Sequence, residues 1–125
     1  MDTRLDEIGQ KIVHAAYEVH KALGPGLLES TYEKCLCYEL GAAGLNVGQQ
    51  ICIPLCYKDL ILDNALRLDL IVNESVIVEL KAVEKIMPVH EAQILSYLRL
   101  SKHRLGYLIN FHSPLIKNGV RRFVL

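Results

Sequence analysis

The 125 residues of this chain predict an α/β fold, a mixed central sheet flanked by helices, in a single domain over residues 1–125. Three observations carry that expectation. Apolar residues recur at helical spacing through the first third of the chain, the period drops to two from Asn46, and a helical stretch after Pro88 separates strongly β-forming segments.

From Asp6 to Leu23, the residues Ile8, Ile12, Ala15, Ala16, Val19 and Leu23 fall on one helical stripe, and "GPG" at Gly24 to Gly26 ends that helix. A second helix is expected from Leu27 to Ala43, with Leu28, Leu36 and Leu40 on its apolar side and Gly41 and Gly44 stopping it. Val47, Ile51, Ile53, Leu55 and Tyr57 then alternate along one face of a strand. "YKD" opens a turn into a short strand at Leu60 to Leu62. Two stronger strands follow, Leu66 to Val72 and Val76 to Ala82, joined through "NES" as a hairpin. Pro88 suits the first turn of a helix reaching Ser101, and Leu105 to Phe111 and Val120 to Val124 read as the last strands. The expected order is α-α-β-β-β-β-α-β-β.

At 51% hydrophobic and 22% charged, the composition is that of a soluble globular protein. No apolar run approaches the roughly 20 residues that span a bilayer, and the start "MDTRLDEIGQ" has no secretory core, so a cytoplasmic protein with no membrane partner is expected. The zero net charge argues against a protein that coats long nucleic acid indiscriminately. The charge is nevertheless uneven. Residues 1–83 hold seven Lys/Arg against twelve Asp/Glu, whereas residues 84–125 hold seven against two. Either these are solvated faces, or an acidic site in one half adjoins a basic surface for a polyanion in the other. Cys35, Cys37, Cys52 and Cys56 are spaced too awkwardly for a zinc clamp and read as reduced, small core residues.

The stretch "IVNESVIVELKAVEK" carries the chemistry. Residues two apart in a strand share a face, so Glu79 and Lys81 project together with Ile77, while Val76, Val78, Leu80 and Ala82 point into a core. Charges in the middle of a strand are costly unless they are paired or used. With a tight turn at Asn73 to Ser75, Asp69 of "RLDLIV" comes opposite or nearly opposite Glu79. Two carboxylates with open positions between them suit Mg²⁺ or Mn²⁺, which keep waters and accept phosphate oxygens as further ligands. A lysine beside them can act on the attacking water. The plainer reading is a cross-strand ion pair of Lys81 with Asp69 or Glu79 on a solvent-facing surface.

The spacing Asp69, nine residues, Glu79-Leu80-Lys81 resembles the PD-(D/E)xK signature of the restriction-endonuclease-like nuclease superfamily. "GLLESTY", with Gly26, Glu29 and Tyr32, resembles the motif of the GxxExxY protein family. "VIVELKAVEKIMPVHEAQILSYL" and "GYLINF" are similar to that family's other blocks, in the same order. The resemblance runs from about Ile8 to Val124 and implies an αβββαβ core. It also implies Asp69 and Glu79 as metal ligands, Lys81 as the catalytic lysine and Glu29 as a further acidic group at the metal. From the residues alone, Glu29 is an acid in the first turn of a helix, where the dipole favours it anyway. Tyr32 shares its helical face and could hold its carboxylate.

His90, Gln93 and Tyr97 form one polar stripe on the helix after the lysine strand. A glutamine here is a common accessory to the active site in the superfamily, which singles out Gln93. The expected activity is Mg²⁺- or Mn²⁺-dependent phosphodiester hydrolysis in DNA or RNA. Asp69, Glu79, Lys81 and Gln93 would serve the chemistry, and Lys85, Arg121 and Arg122 would hold the backbone. A chain with one site cuts both strands of a duplex most easily as a symmetric homodimer. The competing expectation is a non-catalytic nucleic-acid-binding or protein-interaction module that keeps the nuclease fold.

Overall fold

In the computed structural model, which describes residues 2–125, the first stripe becomes helix α1, Thr3–Leu23. It starts a turn earlier than the apolar pattern because the Asp2 carboxylate accepts the Arg4 N–H as an N-cap. Ile8, Ile12, Ala15, Ala16 and Val19 are buried along it, while Leu23, at the frayed end, is not. Helix α2 runs Glu29–Ala42, with Tyr32, Leu36 and Leu40 fully buried. Leu28 does not join that stripe. It precedes the helix in extended conformation at the N-cap position and is 73% exposed.

Five strands follow: β1, Val47–Tyr57; β2, Leu60–Val72; β3, Val76–Lys81; β4, Leu105–Asn110; and β5, Val120–Val124. Helix α3, Pro88–Ser101, joins β3 to β4. The two strands expected within residues 60–72 are therefore one. The polar residues Asp63 and Asn64 between them are absorbed as an irregularity in the β1–β2 ladder, with Asn64 in the left-handed region at φ 59°, which asparagine tolerates better than most residues.

Strand β1 departs from the expected single face. Val47 packs with the α1–α2 core, whereas Ile51 and Ile53 pack on the opposite side of the sheet. Gln50 is responsible, since its left-handed backbone (φ 50°) breaks the alternation between them. The β2–β3 hairpin forms as expected through Asn73 and Glu74, both at positive φ, with Ser75 N–H donating to Val72 O.

The sheet order is β1-β2-β3-β4-β5, antiparallel throughout except for the parallel β3–β4 pair that α3 crosses. Helices α1 and α2 cover one face, packing on Leu70, Val72, Val76, Val78, Leu80, Tyr107 and Ile109. Helix α3 covers the other, placing Leu98 on Leu68 and Ile77, and Ile94 on Leu108. It can lie that close because β4 offers Gly106 beneath it, where a β-carbon would sit 3.1 Å from Ile94 Cδ1. Both faces of β3 are thus buried, not one. Cys35 and Cys37 are half-buried against the core, but Cys52 and Cys56 are exposed on β1, which corrects their placing in the core; all four are free thiols. Among the described residues, no helix is long and apolar enough to cross a membrane.

Candidate active site

The β2–β3 ladder is regular from Val72/Val76 to Leu70/Val78 and then stops. At the next pair, Asp69 and Glu79, side chains take over the backbone hydrogen bonds. Asp69 N–H donates to Glu79 Oε1 at 3.1 Å, and Leu80 N–H donates to Asp69 Oδ2 at 2.9 Å. The strands part here, and two carboxylates fill the gap, each holding its oxygen against the other strand. When Glu79 carries its proton, the two carboxyls also hydrogen-bond each other.

Glu79 is only 4% exposed. Burial, and then the charge of Asp69, push its carboxyl up to about 8, against the weaker pull of the Asp69 N–H and Lys81. Glu79 therefore holds its proton to a higher pH than an ordinary glutamate does. Glu29, at the start of α2, is raised as well. Burial is the main cause, Asp69 and Glu33 add to it, and Lys81 opposes. Glu29 and Glu79 each thus lie within electrostatic reach of Asp69 and Lys81, although α2, β2 and β3 deliver the four from a span of 53 residues.

Lys81 forms no ion pair within 4.0 Å among the described residues, and its two acidic neighbours are buried or half-buried. The solvent-facing ion pair offered by the plainer sequence reading is not what the fold builds. Instead, Lys81 is held through its backbone. Its carbonyl accepts from Phe111 N–H at 2.9 Å, and the buried Asn110 amide brackets Val83 two residues on, accepting at 3.1 Å and donating at 2.8 Å.

Two further side chains enter the site that the sequence patterns do not single out. Glu33, one helical turn after Glu29, bears on its charge, and Gln50 Nε2 donates to both Glu33 carboxylate oxygens at 2.9 and 3.1 Å. Glu33 could have been read from its i+4 spacing. Gln50 could not, because only its left-handed backbone turns it toward α2.

Most of the other expected residues have partners of their own. The Tyr32 hydroxyl does not reach Glu29. It donates to Gly24 O at 2.6 Å and accepts from Leu27 N–H at 3.1 Å, closing the α1–α2 loop, while its ring stacks on Phe111 at 4.7 Å between centroids. Gln93 donates its amide to the Tyr97 hydroxyl at 3.1 Å, so its hydrogen bond stays within α3. His90 caps that helix, its Nδ1 accepting from Met87 N–H. Lys85 is exposed in the loop after β3. Arg121 pairs with Glu91 of α3, and Arg122 pairs with Asp6 of α1 at 2.8 Å, so the two arginines face opposite sides of the sheet. A cleft of about 650 Å³ between α1 and α2, lined by Glu7, Lys11, His14 and Glu39, contains none of the site carboxylates. Asp69 and Glu79 lie instead where the β2–β3 ladder ends.

Among the described residues, no three His, Cys, Asp or Glu side chains form a ready-made cation cage. The donors present are hard oxygens, two carboxylates with a third nearby. That set fits Mg²⁺, which binds through one or two carboxylates and keeps water and phosphate as its other ligands. It does not fit zinc.

A family model described as the PD-(D/E)XK nuclease superfamily matches residues 6–123. No curated protein and no solved structure gives a significant match to the chain.

Proposed function

Because the chain belongs to the PD-(D/E)XK nuclease superfamily, we propose that it is a Mg²⁺- or Mn²⁺-dependent phosphodiesterase acting on nucleic acid, of the GxxExxY type suggested by "GLLESTY". The observation that carries this reading is the parting of β2 and β3 at Asp69 and Glu79, where two carboxylates replace a backbone pair. A strand pair that only needed stability would continue its ladder, because a buried acid beside another acid is costly.

Asp69 and Glu79 would hold the cation, with Glu29 as a third oxygen donor. Once bound, such an ion offsets their charge, polarises the phosphodiester and acidifies a water molecule. Among the described residues Lys81 has no ion-pair partner, so its ammonium is available to orient the attacking water and to offset charge on the phosphorane. Water oxygen would bond to phosphorus and give up one proton to solvent, the bond to the leaving oxygen would break, and that oxygen would take up a proton from solvent. Gln93 would approach the reacting phosphate only by leaving Tyr97. Lys85 and Arg121 would hold the backbone by charge without reading bases. Arg122, on the other face, would act only if the polyanion wraps the sheet edge.

The test is single-turnover cleavage of labelled single- and double-stranded DNA and RNA at saturating Mn²⁺, comparing the parent with Lys81→Ala. The variant is expected to fold, to bind Mn²⁺ at least as tightly, and to lose cleavage by orders of magnitude. Lys81→Arg should rescue it poorly, because a planar, always-charged fork does not replace a compact ammonium. Equal rates, or an EDTA-resistant activity, would refute the mechanism, and a parent that binds nucleic acid without cleaving it would favour a module that binds without cutting.

A further inference from the structure

Strands β1 and β2 are far longer than their neighbours. β3 pairs with β2 only over Leu70–Val72, so the part of the hairpin beyond Arg67 toward the tip has no third strand beside it. Seven residues of β2, Leu60 to Leu66, lie between Arg67 and the turn at Lys58 and Asp59. At about 3.3 Å per residue, and with the irregularity opposite Ile53 and Leu55 taking up part of that length, the arm reaches no more than about 20 Å from the body.

The pairing shows which side chains share a face of this arm. Leu55 lies opposite Leu62, and Tyr57 opposite Leu60, so these four form one apolar strip. Tyr57 is 59% exposed, Leu60 54% and Leu62 42%. The strip continues the alternation of Ile51 and Ile53, which α3 and its neighbours cover nearer the body. It is a core face that runs out from under its second layer. The opposite face of the arm carries Cys56 and Ile61, paired across the strands.

An isolated two-stranded hairpin is at best marginally stable in water. Covering the strip therefore stabilises the arm, and a second copy of the chain is a partner available wherever the protein is. The charges agree. The arm's ionisable residues near the strip are Lys58, Asp59, Asp63 and Arg67, two of each sign, as a surface that packs on itself requires. They offer nothing to a polyanion and no net charge to an anionic membrane.

We propose that the Leu55–Tyr57–Leu60–Leu62 strip is a homodimer interface, in which the arms of two copies pack face to face about a two-fold axis like the layers of a sandwich. This rests on the arm and not on the hydrolytic reading. The dimer would also bring two copies of the site into one particle.

Sedimentation velocity on the full chain, with circular dichroism as a check on folding, tests the proposal. The parent is expected to sediment as a dimer. Tyr57→Arg and Leu60→Arg, tested separately, are each expected to yield folded monomer. Ile61→Arg, on the opposite face of the same arm, should leave the dimer intact, which separates loss of an interface from general damage to the hairpin. If both strip variants fail to fold, a Leu62→Cys chain with its native cysteines changed to serine should cross-link to dimer through a short bifunctional maleimide. A parent that is a folded monomer would overturn the proposal, as would a dimer that Ile61→Arg disrupts and the strip variants do not. Should such a monomer bind phosphatidylcholine vesicles through Tyr57 and Leu60, the strip would belong to a lipid surface instead.

Discussion

Glu79 combines three properties at a single residue: it is buried, it lies against another carboxylate, and it accepts a backbone N–H. Its carboxyl is raised to about 8 in the folded protein against an ordinary value of 4.5, so between those values the folded state binds more protons than the unfolded state. By linkage, its contribution to stability is fully present below about 4.5 and is lost as pH rises through about 8. Calorimetric melting in EDTA across that window should show the parent losing stability with rising pH, while Glu79→Gln, neutral throughout, shows a flatter profile. Parallel profiles would mean that the carboxyl is ionised in the fold. Tyr32 makes the opposite point about reading residues. Its spacing from Glu29 suggested a partnership, yet its hydroxyl closes a backbone loop. Helical spacing identifies which side chains are neighbours on a surface, but not which way a buried one turns.

At the scale of elements, the site depends on two irregularities in strands. One is the end of the β2–β3 ladder at Asp69 and Glu79. The other is Gln50 in β1, whose left-handed backbone lets its amide hold Glu33. An L-residue there carries strain of about 1 kcal/mol or more, and such strain tends to persist where function needs it. Gln50→Gly removes the strain and the amide together. Its unfolding free energy should stay within about 1 kcal/mol of the parent, because glycine accepts the conformation but adds freedom to the unfolded chain. Metal-dependent cleavage should nevertheless fall about tenfold or more, as when a group supporting a metal site is lost. Unchanged Mn²⁺ affinity by titration calorimetry, with unchanged cleavage, would reduce Gln50 to a strand irregularity. The double variant Glu33→Gln/Gln50→Glu, which keeps the hydrogen bond but moves the charge, should recover part of the loss.

Over the whole molecule, the surplus of basic residues in the last third does not form one patch. Neighbours in a strand point to opposite faces, and Arg121 and Arg122 accordingly pair with α3 and α1. Through the pairings Glu79–Leu108 and Leu108–Arg121, Arg121 lies in the same cross-strand row as Glu79, two strands or about 10 Å away. Neutralising Arg121 should therefore weaken nucleic-acid affinity and flatten its salt dependence by up to about one unit of slope, while Arg122→Ala leaves both nearly unchanged. Fluorescence anisotropy in a salt series, with Ca²⁺ in place of Mg²⁺ to hold back cleavage, distinguishes the two. Equal effects would mean that the polyanion contacts both faces at the sheet edge.

What the sequence alone determined was local. The period-two run placed Glu79 with Lys81, "NES" brought Asp69 level with Glu79, and Pro88 and "GPG" marked helix ends, because strand alternation, turn chemistry and capping act over a few residues. The seven adjacent letters of "GLLESTY" likewise singled out Glu29, through their resemblance to the GxxExxY motif. Only the tertiary structure decided the rest. It made one strand of residues 60–72, left Leu28 in solvent, buried Glu79 on a strand covered from both sides, and joined Gln50 to Glu33. Those outcomes depend on which elements pack across tens of residues of chain, and burial, desolvation and a side chain's partner come into being only when that packing is complete.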